Sequence, residues 1–254
     1  GPGGGGSGPS LTKALDGPDL TDYSRQLPKN YKAPILEAIN ELLEELTQIN
    51  EQIAEQAIEH IHANEVILTH GSDRAVEAFL KAARKKRSFD VIVAETALGG
   101  EGRQTAVTLA EAGISTTLIA DTAVFAMMAR VNKVIIGVHA VMANGGLIAT
   151  AGSHLLALAA QHASVPLVAC AGLYKLTPLY PSGSEQFNVL LSPQPMLPYD
   201  EGLQGVHVPN PAFDYVPPEL VSLFVTNIGG NHGSYIYRLL ADCYHQEDHN
   251  LFTN

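Results

Sequence analysis

Four short apolar runs within residues 65–151 decide the fold: Glu65-Val-Ile-Leu-Thr-His70, Asp90-Val-Ile-Val-Ala-Glu95, Ser115-Thr-Thr-Leu-Ile-Ala120 and Lys133-Val-Ile-Ile-Gly-Val138. Each run is rich in β-branched residues, and a segment with helical spacing of apolar residues separates it from the next. This alternation is typical of a parallel sheet that helices bury on both faces. We therefore predict an α/β fold with a Rossmann-like parallel sheet, covered by helices on both faces and preceded by a long helix.

The residues just after each run are the candidates for function, because ligands of such sheets bind beyond the carboxyl ends of the strands. Asp121 directly follows the third run. It is predicted either to cap a helix, which is the more frequent role, or to act as a general acid or base at the mouth of a site. After the first run, Ser72 is predicted to cap the helix Arg74–Arg87.

The chain divides into four parts on composition. Residues 1–10 are glycine-rich and are predicted to be a flexible linker or the remnant of a cleaved expression tag. Residues 11–33 are polar and predicted to be extended. Residues 34–63 carry one apolar stripe at helical spacing, which predicts a long helix that ends a helical N-terminal domain otherwise absent. Residues 64–254 are predicted to form the Rossmann-like C-terminal domain.

Charge and cysteine content limit the function classes. The 254 residues carry a formal net charge of −11, so the chain lacks a field that would attract nucleic acid. The basic cluster Lys81–Arg87 ends a predicted helix, where cations complement the helix dipole. The two cysteines, Cys170 and Cys243, do not suggest a disulfide framework, and Cys170 is predicted to be buried and inert. With no secretory signal or membrane-spanning run visible, we expect a cytoplasmic protein with no membrane partner.

Motifs for cofactors, metals and nucleophiles are weak or absent. The G-x-G within Gly99–Thr105 lacks the third glycine of a dinucleotide fingerprint. His60 and His62 are two residues apart on a predicted helix and face different ways, so a metal site is not expected. Neither G-x-S-x-G nor a phosphate-binding G-x-x-x-x-G-K-[ST] loop occurs. We predict no cofactor and no metal.

Longer motifs carry a family resemblance. Ile67-Leu-Thr-His70, Asp121 after its strand, Val134-Ile-Ile-Gly137 with Ala143-Asn-Gly145, and Phe213-Asp-Tyr-Val-Pro-Pro-Glu-Leu220 resemble one superfamily. It contains the methylthioribose-1-phosphate isomerases and the regulatory subunits of eukaryotic translation initiation factor 2B. The resemblance extends from about residue 35 to the C-terminus.

The resemblance implies a pocket without catalytic residues. The isomerases carry a cysteine after the Leu-Thr-His strand, where this chain has Gly71, and an aspartate after a later strand, which Asp121 retains. They also have Gly-Ala-Asp where this chain reads Gly137-Val-His139, and Thr-Arg-Pro in place of Thr96-Ala-Leu98. Loss of one member of an acid–base set typically costs about 10²–10⁴-fold in rate. We therefore interpret the pocket as vestigial, with these members: Gly71, Ser72, Asp121, His139 and Asn144.

The resemblance also implies partners. A regulatory and assembly subunit of this factor would pair with the delta subunit and join the other subunits of the decamer. That decamer exchanges guanine nucleotide on initiation factor 2 and senses phosphorylation of its alpha subunit. A homodimer through the same face is possible when the chain is isolated.

Two groups of residues are the candidates for the subunit interface. Asn64 and Asp90 stand at strand starts, and the alternative for Asn64 is a helix cap. Tyr235, Tyr237 and Arg238 belong to residue types that are enriched at interfaces, and their alternative is ordinary core and rim packing.

Two rival functions remain open. The chain could be an active sugar-phosphate isomerase that uses Asp121 together with His139. It could also be a ligand-binding sensor whose pocket kept affinity but lost its chemistry. Turnover or binding of sugar phosphates distinguishes both from a pure assembly subunit.

Overall fold

The structure is a computed structural model and describes residues 32–96, 99–181, 188–201 and 205–244. The predicted linker 1–10, and the extended segment up to residue 31, lie outside the described residues. So do Ala97 and Leu98.

Two sheets form in the described residues. Their strands are β1 (Val66–His70), β2 (Asp90–Ala94), β3 (Ser115–Ile119), β4 (Lys133–Gly137), β5 (Ala140–Val141), β6 (Leu147–Thr150), β7 (Leu167–Cys170), β8 (Phe213–Val216), β9 (Leu223–Thr226) and β10 (Gly229–Asn231). The main sheet has seven strands in the order β10-β9-β7-β4-β1-β2-β3, and all are parallel except β10. The small sheet has the order β5-β6-β8 and is antiparallel.

Helices cover both faces of the main sheet. In the described residues they are α1 (Lys32–Glu55), α2 (Ala57–His60), α3 (Arg74–Arg84), α4 (Glu101–Glu111), α5 (Val124–Met127), α6 (Ser153–His162) and α7 (Gly233–Cys243). Two clusters of buried apolar side chains lie on opposite faces of the sheet. One includes Val134 and Ile136 and packs under α5, α6 and α7, and the other includes Ile135 and packs under α1 and α3. The alternation of these residues along β4 is that of a strand buried on both faces.

Two helix predictions need correction. The single helix predicted over 34–63 is broken at Gln56, which separates α1 from α2 and whose Nε2 donates to the Thr226 carbonyl at 2.6 Å. The cap predicted at Ser72 is wrong, because Asp73 Oδ1 accepts from the N–H groups of Ala75 and Val76 at 2.8 and 3.3 Å. Asp73 has the extended backbone that an N-cap requires, and its carboxylate also suits the positive end of the helix dipole.

Short strands lie outside the four apolar runs. The region between β4 and α6 contains β5 and β6, which flank the turn at Asn144. β10 is short and pairs antiparallel with β9. Among the described residues, Leu190 makes an isolated bridge to Pro211. No helix in the described ranges is long and apolar enough to cross a membrane.

Candidate functional site

Three cavities lie next to one another at the carboxyl edge of the main sheet. The largest, of about 810 Å³, is a groove between α5 and α6 that His70 and Asp121 also line. A cavity of about 290 Å³ shares Asp121 with this α5–α6 groove and is lined by Asn210; we name it the Asn210 pocket. A cavity of about 250 Å³ shares His70 with the groove and is lined by Lys175; we name it the Lys175 pocket. The cavities lie where the strand arrangement leads us to expect a ligand.

The backbone at Gly71 explains why this position has no side chain. Its φ of +74° lies in the left-handed region, where residues with a Cβ are strained. A Cβ placed there would also lie 3.2 Å from Thr150 Oγ1. The Gly71 N–H donates to Thr96 Oγ1 at 3.0 Å, and its carbonyl accepts from Thr105 Oγ1 at 3.2 Å. Ser72 follows this fixed turn and lines the Lys175 pocket.

Asp121 fixes the loop opposite Gly71. Its Oδ1 accepts from the Thr96 N–H at 2.9 Å and lies 4.0 Å from His70 Nδ1. Thr96 has a φ of +53°, so this hydrogen bond supports a strained backbone position. Asp121 is the first residue of the 3₁₀-helix Asp121–Ala123, whose N-cap position is Ala120. The capping role and the acid–base role of Asp121 both remain predictions.

The other two predicted pocket residues occupy different places. His139 lines the Lys175 pocket, where its ring stacks on Phe213 with centroids 4.5 Å apart. Asn144 lies in the β5–β6 turn, outside the residues that line the three cavities. There its Oδ1 accepts from the Gly146 N–H at 2.9 Å and its Nδ2 donates to the Tyr215 hydroxyl at 2.8 Å. These bonds give Asn144 a structural role in the turn.

Two carboxylates at the sheet edge were missed from the sequence. Asp73 caps α3 and also pairs with Lys175, whose Nζ lies 2.8 Å from Asp73 Oδ2. Asp214, on β8, caps α6 from a distance by accepting from the N–H groups of Gly152 and His154 at 2.7 and 3.1 Å. The position of Asp73 directly before Arg74 was an available N-cap signal. The pairing with Lys175 and the distant cap by Asp214 had no local signal.

The predicted interface residues are exposed. Asn64 and Asp90 lie together at the amino edge of the sheet, since Asp90 pairs with Val66 in the register of β1 and β2. Asn64 does not cap a helix, because α2 ends at His60; its N–H instead donates to the Ser88 carbonyl at 2.8 Å.

The second group of interface candidates lies on α7. Tyr237 is 65% exposed, and the Arg238 guanidinium lies 5.7 Å from the centre of the Tyr235 ring. Helix α7 follows β10, which is at the opposite end of the strand order from β3. The structure therefore does not bring the two groups together on adjacent strands.

The β3 end of the sheet is less covered than its centre. Ser115 and Thr117 are exposed, and Leu118 is 46% exposed, although β2 beside them is almost wholly buried. Nearby in sequence, Phe125 of α5 is 60% exposed beside the α5–α6 groove. Parallel sheets are normally covered on both faces, so this end is less covered than is usual for such a sheet.

Comparison with known proteins identifies the family of this chain. A model of the initiation factor 2 subunit family matches residues 12–233. The chain belongs to this family. It is 57% identical over 236 residues to translation initiation factor eIF2B subunit beta of Dictyostelium discoideum, a match that covers 92% of this chain and 61% of that relative.

Two further family relatives bear on assembly and chemistry. A crystal structure of the tetrameric eIF2B-beta2-delta2 complex from C. thermophilum matches with a TM-score of 0.63 and 31% identity, covering 84% of this chain and 65% of that one. Ribose 1,5-bisphosphate isomerase of Methanocaldococcus jannaschii is 29% identical over 202 residues, covering 79% of this chain and 66% of the relative. The predicted fold and the predicted family resemblance are both confirmed.

Proposed function

We propose that this chain is a beta-type regulatory and assembly subunit of the guanine-nucleotide exchange factor acting on initiation factor 2. The observation that carries the proposal is the 57% identity to the Dictyostelium beta subunit. Further stretches that fit this subunit type are Ala57–Glu65, Arg74–Leu80, Arg130–Gly137, Asn227–Asn231 and Ser234–Leu239. In the assembled decamer the chain would work in the cytoplasm and help to sense phosphorylated initiation factor 2 alpha.

The proposed subunit is non-catalytic. The backbone at Gly71 disfavours any side chain, so the position of the isomerase thiol has no nucleophile or acid–base group. The Asp121 carboxylate holds the Thr96 backbone, and Lys175 is paired with Asp73. These contacts support a structural use of the residues that remain.

Pairing with the delta subunit is proposed through the β3 end of the sheet and the adjoining amino edge. Asn64 and Asp90 would border this contact, and Leu118 and Phe125 would supply apolar area. The exposed stripe on the first two-thirds of α1 is proposed to pack against helices of an N-terminal domain. All described residues from 32 to 48 are exposed, whereas Ile53 of the same helix is fully buried.

The pairing is tested by size-exclusion chromatography with light scattering, for the chain alone and mixed with the delta subunit. Leu118→Lys and Phe125→Glu should reduce co-elution, because each places a charge in a desolvated contact. Leu190→Lys is the matched control, since Leu190 is 67% exposed on a different segment. Wild-type pairing that neither variant weakens would refute this surface. A homodimer of the isolated chain that Leu118→Lys disrupts would support it.

The rival is an active sugar-phosphate isomerase that uses Asp121 with His139. The 29% identity to ribose 1,5-bisphosphate isomerase favours it. The imidazole that the structure places beside Asp121 is that of His70, at 4.0 Å, whereas His139 lines the Lys175 pocket. Turnover of methylthioribose 1-phosphate or ribose 1,5-bisphosphate that Asp121→Asn abolishes would establish this rival and refute the non-catalytic proposal.

A further inference from the structure

Acidic and neutral groups line the Asn210 pocket. Its ionisable side chains are Glu101 and Asp121, and no lysine or arginine is among the described residues that line it. An anion in this cavity would face two carboxylates without a compensating cation.

Two backbone donors of the pocket lining already have acceptors within the protein. The Thr96 N–H donates to Asp121 and the Gly99 N–H donates to the Thr96 carbonyl. Phosphate groups are usually held by helix N-terminal N–H groups together with arginine or lysine. The N-terminus of α4 lies at this pocket, but its first residue, Glu101, brings a carboxylate there, and no arginine or lysine is among the described lining residues.

Asn210 supplies an independent sign that the pocket lacks a donor. This side chain is 2% exposed and lines the cavity, and its Nδ2 donates to the Ser192 carbonyl at 2.8 Å. Its Oδ1 is buried and receives no hydrogen bond from the residues that the structure describes. Buried polar atoms without a partner are rare in folded proteins, and a bound group can supply the missing bond.

An aromatic ring completes the wall. Phe213 lines both the Asn210 pocket and the Lys175 pocket, and His139 stacks on it. An aromatic ring beside carboxylates is a common setting for an organic cation, which gains from the ring quadrupole as well as from the negative charge.

We propose that the Asn210 pocket binds a small organic cation, either an ammonium or a guanidinium compound, and does not bind sugar phosphates. The cation pairs with Asp121 and Glu101, and one of its N–H groups donates to Asn210 Oδ1. The acceptor set therefore makes the pocket selective for a ligand of the opposite charge to the substrates of the related isomerases. The cation is proposed to bind whether or not the delta subunit is present.

Isothermal titration of the full chain tests the proposal, with agmatine as the cationic probe and ribose 5-phosphate and ribose as the anionic and neutral probes. Agmatine carries an ammonium and a guanidinium, so it can reach both carboxylates. We expect agmatine to bind with a dissociation constant between about 10 μM and 1 mM, the range of ordinary metabolite sites. Ribose 5-phosphate should show no heat of binding. Equal or tighter binding of ribose 5-phosphate, or no binding of agmatine, would overturn the proposal.

Three variants and a control locate the site. Asp121→Asn and Glu101→Gln should each weaken agmatine about 10- to 100-fold, the usual effect of losing a charge-assisted hydrogen bond. Asn210→Ala should weaken it less, because the lost acceptor is neutral. Glu111→Gln removes the same charge from the far end of α4 and should leave affinity unchanged. Circular dichroism melting confirms that each variant is folded. Equal weakening by Glu111→Gln would show a nonspecific charge effect and overturn the assignment.

Discussion

Replacing Gly71 with cysteine tests whether the backbone itself excludes a side chain at the position of the isomerase thiol. The native φ of +74° disfavours a residue with a Cβ by about 1–2 kcal/mol. The new Cβ would also lie 3.2 Å from Thr150 Oγ1, so that neighbour has to move by a few tenths of an ångström. Together we expect a loss of about 2 kcal/mol, which lowers Tm by about 4–8 °C for a domain of this size.

Gly113→Cys is the matched control. Gly113 has a φ of +78°, but a Cβ added there meets nothing within 4 Å. It should show the conformational cost alone, about 1 kcal/mol or 2–4 °C in Tm. Thermal melting under reducing conditions measures both variants, and Thr150→Ala in the Gly71→Cys background should recover the difference between them. A Gly71→Cys variant that melts with the wild type would refute the strain argument. Isomerase activity gained by that variant would contradict the inference that the rest of the pocket has lost its chemistry.

Three further predictions concern ionisable groups and thiols. Asp73→Ala removes the α3 cap and leaves Lys175 without its carboxylate, so chemical denaturation should show a loss of about 2–4 kcal/mol. Burial lowers the pKa of His60. The neutral His60 side chain therefore contributes its full stabilisation above about pH 6.5, and this stabilisation is lost as the pH falls below that value. The free energy of unfolding measured between pH 7 and 5 should fall less in His60→Gln than in the wild type. Burial raises the pKa of the Cys170 thiol far above its usual range, so a thiol reagent should label Cys243 alone in the native protein and both cysteines in denaturant.

Each of these three predictions has a result that would contradict it. For Asp73→Ala, the contradicting result is a free energy of unfolding equal to that of the wild type. Asp73→Asn, which keeps the capping oxygen, is the control. For His60→Gln, the contradicting result is the same pH dependence of the unfolding free energy as in the wild type. For the thiols, it is native labelling of Cys170 at the rate measured in denaturant.

The sequence alone predicted the layers of this fold, because each central strand is a continuous apolar run. The four apolar runs within residues 65–151 form β1 to β4 within one residue of their predicted ends. Burial of Cys170 was also predicted, since it ends such a run, and the structure confirms it. These features depend on local composition, which periodicity captures directly.

The features that were missed depend on partners far apart in the chain. Strands β5 and β10 have two and three residues, too few for a periodic pattern, and they form through pairing with β6 and β9. Lys175 meets Asp73 across 102 residues, and Asp214 caps a helix that begins about 60 residues earlier. Only longer strands would have shown a period in the sequence, and no local motif connects residues that meet across such separations.

The residues of the predicted pocket also divide into those at strand ends, which the sequence locates, and Asn144, which depends on distant pairing. Ser72, Asp121 and His139 follow strand ends, and the sheet geometry brings them to the cavities, while Gly71 forms the turn between His70 and Ser72, which both line the Lys175 pocket. Asn144 belongs to a hairpin turn whose two strands could not be seen in the sequence. Its Asn-Gly dipeptide is typical of a tight turn, which is the role the structure shows.

Light scattering of this chain mixed with the delta subunit tests the central claim most directly. We predict a single species whose mass equals one chain of each kind or a multiple of that sum, and we expect Leu118→Lys to reduce its amount. Two separate peaks with the masses of the unmixed proteins, at protein concentrations well above those at which a stable complex forms, would contradict the assignment of this chain as a pairing subunit.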